Sequence, residues 1–145
     1  MTVIVDLDGT LCDCSQRIHY IKSKPKNWKA FYAGVPNDSV LEKMHDLVFA
    51  LAHVGHRIIL CTGREEIHRE TTEAWLESNV WFDYEKLYMR SLKDYRPDSV
   101  VKIELLEQMR KDGYDPDMAI DDRQQVVDAF REAGLLVLQC AKGDF

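Results

Sequence analysis

Ile58, Ile59, Leu60 and Cys61 are apolar at four consecutive positions. A strand with one face in water alternates apolar and polar residues, so a run without alternation is buried on both faces, like a central strand of a parallel sheet. Such a strand needs helices above and below it, and the rest of the sequence supplies them. Val3 to Val5 is a short apolar strand that stops at Asp6. Val40, Leu41, Met44, Leu47, Val48 and Leu51 recur near the helical period, with Asn37 or Asp38 placed to cap the helix and Gly55 to end it. A second helix is expected from about 66 to 78 and a short, weakly signalled strand over 87–89. Asp98 opens a helix closed by Gly113, Met118 to Ile120 is a strand ending at Asp121, 123–133 is helical, and 135–139 is a last strand. The alternation predicts an α/β, Rossmann-like, three-layer fold with a central parallel sheet.

The chain reads as one domain over 1–145, with no repeat, linker or low-complexity stretch. No apolar run approaches the ~18 residues of a membrane span, and no membrane partner is expected. Met1-Thr-Val-Ile-Val-Asp6 enters a strand without a basic stretch or cleavage site, so the expectation is a cytoplasmic, unprocessed chain. Cys12, Cys14, Cys61 and Cys140 make no zinc-ligand pattern and are expected to be reduced thiols. A metal site here has to be built from carboxylates. The net charge of −6 opposes nonspecific nucleic-acid binding by the whole molecule's field. Between Cys14 and Pro36, however, there is no acidic residue, while Arg17, Lys22, Lys24, Lys26 and Lys29 fall inside that stretch.

Ligands of open parallel sheets bind beyond the carboxyl ends of the strands. Three strand ends here are chemically loaded: Asp6-Leu-Asp8-Gly9-Thr10, Thr62-Gly63-Arg64 and Asp121-Asp122-Arg123. Side by side, they bring four carboxylates, a hydroxyl and two arginines to one crevice. Clustered carboxylates repel one another and stay ionised only with a cation among them; an all-oxygen set suits Mg2+ best. Asp6 and Asp8 project to the same side of an extended backbone, so one can attack while the other manages a proton. Gly9 allows a sharp turn beside a ligand. Lys102 supplies charge for phosphate oxygens, aimed by Asp98 one helical turn earlier. Thr62 can donate its hydroxyl, and amides around Gly63 can cradle another oxygen. Taken singly, Asp121-Asp122 is also a helix cap and Asp98–Lys102 a solvated pair. The chemistry is carried by the set.

That set resembles the haloacid dehalogenase superfamily of phosphotransferases, whose four motifs match Asp6-x-Asp8-Gly9-Thr10, Thr62, Lys102 and Asp121-Asp122. The resemblance implies the strand order 5-4-1-2-3 and a small cap at about 12–36. It implies Asp6 as nucleophile and Asp8 as general acid and base. It also implies magnesium arranged by Asp6, Asp8 (through its carbonyl), Asp121 and Asp122, with Thr62 and Lys102 on the phosphate. A closer likeness is to the 3′-phosphatase domain of bacteriophage polynucleotide kinase, carried by Arg17, by 96–102, by 119–127 and by Gly143-Asp144-Phe145. There, arginines like Arg17 and Arg64 and an aspartate like Asp98 belong to the active site, and Arg123 is expected beside them. The chain has no Gly-x-x-x-x-Gly-Lys-Ser/Thr loop, so kinase activity is not expected of it; whether a separate kinase or ligase is its partner is left open by the sequence.

A short cap leaves the crevice open to a polymer end. Tyr20, Trp28, Phe31 and Tyr32 interleave with the basic residues of the cap, either as a stacking surface for single strands or as packing onto the core. Trp75, Trp81 and Phe82 are expected in the core, and His19 is the histidine nearest the crevice by sequence. The expected substrate is a phosphorylated nucleic-acid end, 3′ above all, or a nucleotide. Alternatives are a small-molecule phosphatase such as a 5′-nucleotidase, a two-metal nuclease, and an inactive nucleic-acid-binding module.

Overall fold

The computed structural model describes residues 1–143; of the carboxyl-terminal resemblance, Asp144 and Phe145 lie outside the described residues. The elements run β1 (Thr2–Val5), β2 (Cys12–Asp13), α1 (His19–Lys22), α2 (Trp28–Ala33), a 3-10 turn (Val35–Asn37) and β3 (Ser39–Val40). They continue with α3 (Glu42–His53), β4 (Arg57–Glu65), a 3-10 turn (Glu66–His68), α4 (Arg69–Asn79) and β5 (Lys86–Arg90). The chain ends in α5 (Asp98–Lys111), β6 (Met118–Arg123), α6 (Gln124–Glu132) and β7 (Leu136–Gly143). The large sheet has the order β5-β4-β1-β6-β7, parallel throughout. Numbered along the chain within this sheet alone and read from the β7 edge, that order is 5-4-1-2-3.

Successive side chains of the central strands divide between two cores. Val3 and Val5, Ile58 and Leu60, and Met118 and Ile120 pack on one face with Val48 of α3 and Trp75 and Leu76 of α4. Ile4, Ile59, Cys61 and Ala119 pack on the other with Leu106 and Met109 of α5 and Val126, Val127 and Phe130 of α6. Period-two geometry thus gives each strand two buried faces. This is why the apolar run at 58–61 needs no alternation.

The order β4-β1-β6 sets the carboxyl ends of the three loaded strands side by side. Between β1 and α3, the two-stranded antiparallel sheet β2–β3 pairs Cys12 with Val40 and Asp13 with Ser39. It clasps both ends of the 14–38 segment, which carries α1 and α2 over the crevice. These short strands carry no period of their own and escape sequence reading.

Several local expectations are corrected. The third helix starts at Glu42 behind Leu41 rather than at a cap on Asn37 or Asp38, because the Asp38 side chain is spent on Arg17. The segment after Thr62 stays extended to Glu65 and passes through a 3-10 turn before α4 begins. Trp81 is 76% exposed, whereas Trp75 and Phe82 are buried. All four cysteines are free thiols, three of them buried, and no described helix is long and apolar enough to cross a membrane.

Phe130 is almost fully buried in the face formed by α5 and α6. Phe130→Ala is expected to cost about 3–5 kcal/mol in urea unfolding.

Candidate active site

Asp6 follows the last residue of β1, and its amide donates to Ile120 O on β6 at 3.1 Å. Its carboxylate lies at the floor of a crevice of about 360 Å3. Lys102 rises to it from the second turn of α5, with Nζ 2.7 Å from both Asp6 Oδ1 and Asp121 Oδ2. Asp98, one turn earlier on the helix, stands 3.8 Å from the same ammonium. The expected Asp98–Lys102 pair therefore exists, but the closer partners of Lys102 come from the strand ends. Asp98 is held mainly from outside, by Arg90 at 3.3 Å and Arg123 at 3.4 Å. Thr10 donates to Asp6 Oδ2 at 3.3 Å.

Two glycines are placed by close approach. Gly9 has φ +82°, and a Cβ there would lie 2.3 Å from Asp122 Oδ2. A Cβ on Gly63 would lie 2.1 Å from Asp98 Oδ1. Both loops can wrap the carboxylates only because these positions carry no side chain. Thr62 Oγ1 accepts from Arg64 N at 3.2 Å, which leaves its hydroxyl proton to donate to a ligand oxygen.

Asp8 belongs to a second ionic group. Arg64 donates to it through Nε at 3.0 Å and Nη2 at 2.6 Å. Arg17 donates to the same carboxylate and also to both oxygens of Asp38, at 2.9 and 2.7 Å. Arg17, read from the sequence as a substrate contact, is fully buried behind Asp8, with its guanidinium 4.2 Å over the Phe31 ring. Two carboxylates and two guanidiniums close a neutral, buried set. Sequence reading missed Asp38 because its partner Arg17 is 21 positions away and no local period links them. It missed Arg90 although the strand-end rule applies to it: Arg90 ends β5 and ties together Gly63 O, Asp94 O, Arg96 O and Asp98. His19 is exposed, its ring against Tyr20, and it does not line the crevice; it is His68 that stacks on Tyr32, a residue of the crevice wall.

The electrostatics of the two groups are opposite. Burial would raise Asp8, but Arg64 and then Arg17 outweigh it and hold the carboxyl well below the usual carboxylate range. Burial, then the charge of Asp121, raises Asp6 well above its ordinary value, with Lys102 opposing. The same causes in the same order push Asp122 up to about 6. Lys102 is desolvated, yet Asp121, Asp6 and Asp98 keep it cationic.

Ligand oxygens of Asp6, Asp121 and Asp122 lie within 4.8 Å of one another. Among the described residues, Asp122 Oδ1 is the one buried side-chain oxygen without a hydrogen-bond partner. Three carboxylates against one ammonium leave two negative charges, the charge of one divalent cation. An orphaned oxygen in a cluster of hard donors fits such an ion.

Residues 1–145 match the family model of the polynucleotide kinase PNKP phosphatase domain, and the chain belongs to that family, a phosphatase domain of the haloacid dehalogenase type. A chain in a structure of the Pnkp1/Rnl/Hen1 complex superposes with a TM-score of 0.80 at 36% identity, over 99% of this chain and 47% of that one. A haloacid dehalogenase family enzyme of Bacteroides thetaiotaomicron, solved with magnesium and inorganic phosphate, shares the fold: TM-score 0.61, 15% identity, 99% of this chain and 96% of that one. A provisionally named nucleotidase of Oceanobacillus iheyensis is 28% identical over 64% of this chain and 44% of its own. This chain therefore spans slightly less than half of the matched chain of that complex and of the nucleotidase.

Two outcomes follow for the free protein. Gly63→Ala drives a methyl into Asp98 and is expected to cost about 1–3 kcal/mol in urea unfolding. Asp122 holds its proton more tightly folded (about 6) than at its ordinary 3.8. Its contribution to stability is complete below the lower value and is lost as pH rises through the upper one. The Tm of chelator-treated protein should therefore fall between pH ~4 and ~6 and level off above that, and added Mg2+ should raise Tm more at the upper pH. Asp122→Asn should flatten that difference.

Proposed function

We propose that this family member is a magnesium-dependent phosphomonoesterase that works through an aspartyl-phosphate on Asp6, with a 3′-phosphorylated nucleic-acid end as substrate. The observation that carries the reading is the pairing at the crevice floor. A buried carboxylate, Asp6, is held by Lys102 beside a carboxylate cluster, while two residues later Asp8 is gripped by two guanidiniums.

The residues divide the reaction between them. Asp6, Asp121, Asp122 and the carbonyl of Asp8 would hold the ion, which when bound supplies positive charge to the phosphoryl oxygens. Lys102, the Thr62 hydroxyl and the amides at Gly63 take the remaining oxygens; Arg64 and Arg123 line the approach, with Asp98 bracing Arg123, and Arg17 orients Asp8 from behind. An Asp6 oxygen attacks phosphorus, the ester P–O bond breaks, and the leaving oxygen takes a proton from Asp8. Water then attacks the acyl phosphate, giving its proton to Asp8 and freeing Asp6 and inorganic phosphate.

The free protein holds Asp8 ionised, the form needed for the second step. The first step needs the acid. A bound phosphate dianion brings negative charge beside Asp8 and competes for Arg64, and both effects move its titration upward.

For the substrate, support comes from the family, from likeness to a chain of an RNA repair complex, and from a crevice roofed only by the short 14–38 segment. The same likeness supports action beside a separate kinase or ligase. A second reading, hydrolysis of free mononucleotides, is favoured by the nucleotidase relative.

Phosphate release from a 3′-phosphorylated oligonucleotide with Mg2+, without shortening of the strand, tests the proposal. Chelation should abolish it. Asp6→Asn should lower it by roughly a thousandfold or more, and Asp8→Asn by about 100- to 10,000-fold. Faster turnover of mononucleotides than of oligonucleotides favours the second reading. Activity confined to sugar phosphates rejects both.

A further inference from the structure

The walls of the crevice above Asp6 are aromatic on two sides, for reasons that packing does not supply. In α2, Trp28, Phe31 and Tyr32 stand at i, i+3 and i+4 and share one face. Asn27 fixes the start of this helix, its side chain accepting from Ala30 N at 3.0 Å. The three rings have different fates. Phe31 is buried over the Arg17 guanidinium. The Tyr32 ring is stacked 4.2 Å from His68 on one side and 6.0 Å from Trp28 on the other, with interplanar angles of 24° and 23°. Trp28 also meets the edge of Phe31 at 5.7 Å, yet 42% of it remains in water. A nearly parallel stack of three rings therefore ends in a partly exposed indole that lines the crevice. Through Phe31 and Arg17, the same helix face is fastened to Asp8.

Opposite stands Tyr95, 85% exposed and lining the same crevice. Its loop is not loose. Arg90 donates to Asp94 O at 3.0 Å and to Arg96 O at 2.6 Å, and Lys93, at φ +58°, donates its amide to Glu65. Arg96 grips Asp94 and Glu104. A loop pinned on both sides of an exposed ring holds that ring in place for something other than the core. Lys26, which lines the same wall, lies 5.6 Å over the Trp28 ring and adds positive charge there.

Resting on the phosphomonoesterase reading, we infer that Trp28 and Tyr95 form a stacking subsite for the nucleobase of the nucleotide that carries the scissile phosphate. Stacking uses the π face that every base has, so the subsite recognises an unpaired terminal base with little sequence preference. It explains how a site with a short cap distinguishes a nucleic-acid end from other phosphate esters: the cap contributes a ring instead of a lid.

The test compares two oligonucleotides with a terminal 3′-phosphate, identical except that one has an abasic sugar at the last position. Wild-type protein is expected to show a kcat/KM roughly tenfold higher for the base-bearing end, expressed in KM. In Trp28→Ala and in Tyr95→Ala that ratio should collapse toward one. Tyr95 is so exposed that its variant tests the subsite without threatening the fold. Equal KM for the two ends in the wild type, or an undiminished ratio in both variants, overturns the subsite while leaving the phosphatase reading intact. Hydrolysis of sugar phosphates with neither oligonucleotide turned over overturns the nucleic-acid reading and the subsite together.

Discussion

The ammonium of Lys102, buried and 2.7 Å from both Asp6 and Asp121, is the contact on which the rest of the site is arranged. A buried cation needs paired carboxylates, and buried carboxylates need a cation. The pair joins the carboxyl ends of β1 and β6 to the second turn of α5, and so fixes how that helix lies on the sheet. One ammonium cannot balance the cluster. Asp122 keeps an unpartnered oxygen and a raised titration, and the charge deficit equals one divalent ion. Structure and chemistry share a cause here: the mutual repulsion of these carboxylates is what would favour a bound cation.

The neighbouring ionic set has the opposite character. Asp8, Arg17, Asp38 and Arg64 are mutually satisfied and neutral as a group. Asp8 and Arg64 among them line the crevice, with Asp8 the more exposed. Two guanidiniums hold the Asp8 carboxylate in one orientation more rigidly than a solvated pair could, as the proposed proton transfer would require. Because Arg17 and Asp38 belong to the two ends of the 14–38 segment, that segment is tied to Asp8 by charge and to the core by the β2–β3 clasp.

Much of this was legible in the sequence, and for a definite reason. The doubly buried strands 2–5, 57–61 and 118–120 carry their own pattern, and parallel topology dictates that loaded residues at their ends converge. Asp6, Thr62, Asp121 and Asp122 were found in that way, and Lys102 through its helical spacing from Asp98. What escaped depends on distant partners. Asp38 reads locally as a helix cap, and only the folded chain shows that its carboxylate belongs to Arg17. Arg90 closes a strand whose apolar core is just three residues long, too short to mark its end. Trp81 carries a hydrophobic side chain at the end of a helix where the sheet no longer offers a surface, so size alone placed it wrongly in the core. The split among Trp28, Phe31 and Tyr32, between packing and exposure, depends on where Arg17 lies beneath them.

The most direct measurement is an acid quench of the protein during turnover of a 3′-phosphorylated oligonucleotide, followed by mass mapping of the trapped acyl phosphate. The phosphoryl group is expected on Asp6, the carboxylate nearest Lys102 on β1, and it should be absent from Asp6→Asn. A phosphoryl group on Asp8, Asp121 or Asp122, or one still acquired when Asp6 is replaced, would contradict the assignment of the nucleophile and the role given to the buried lysine.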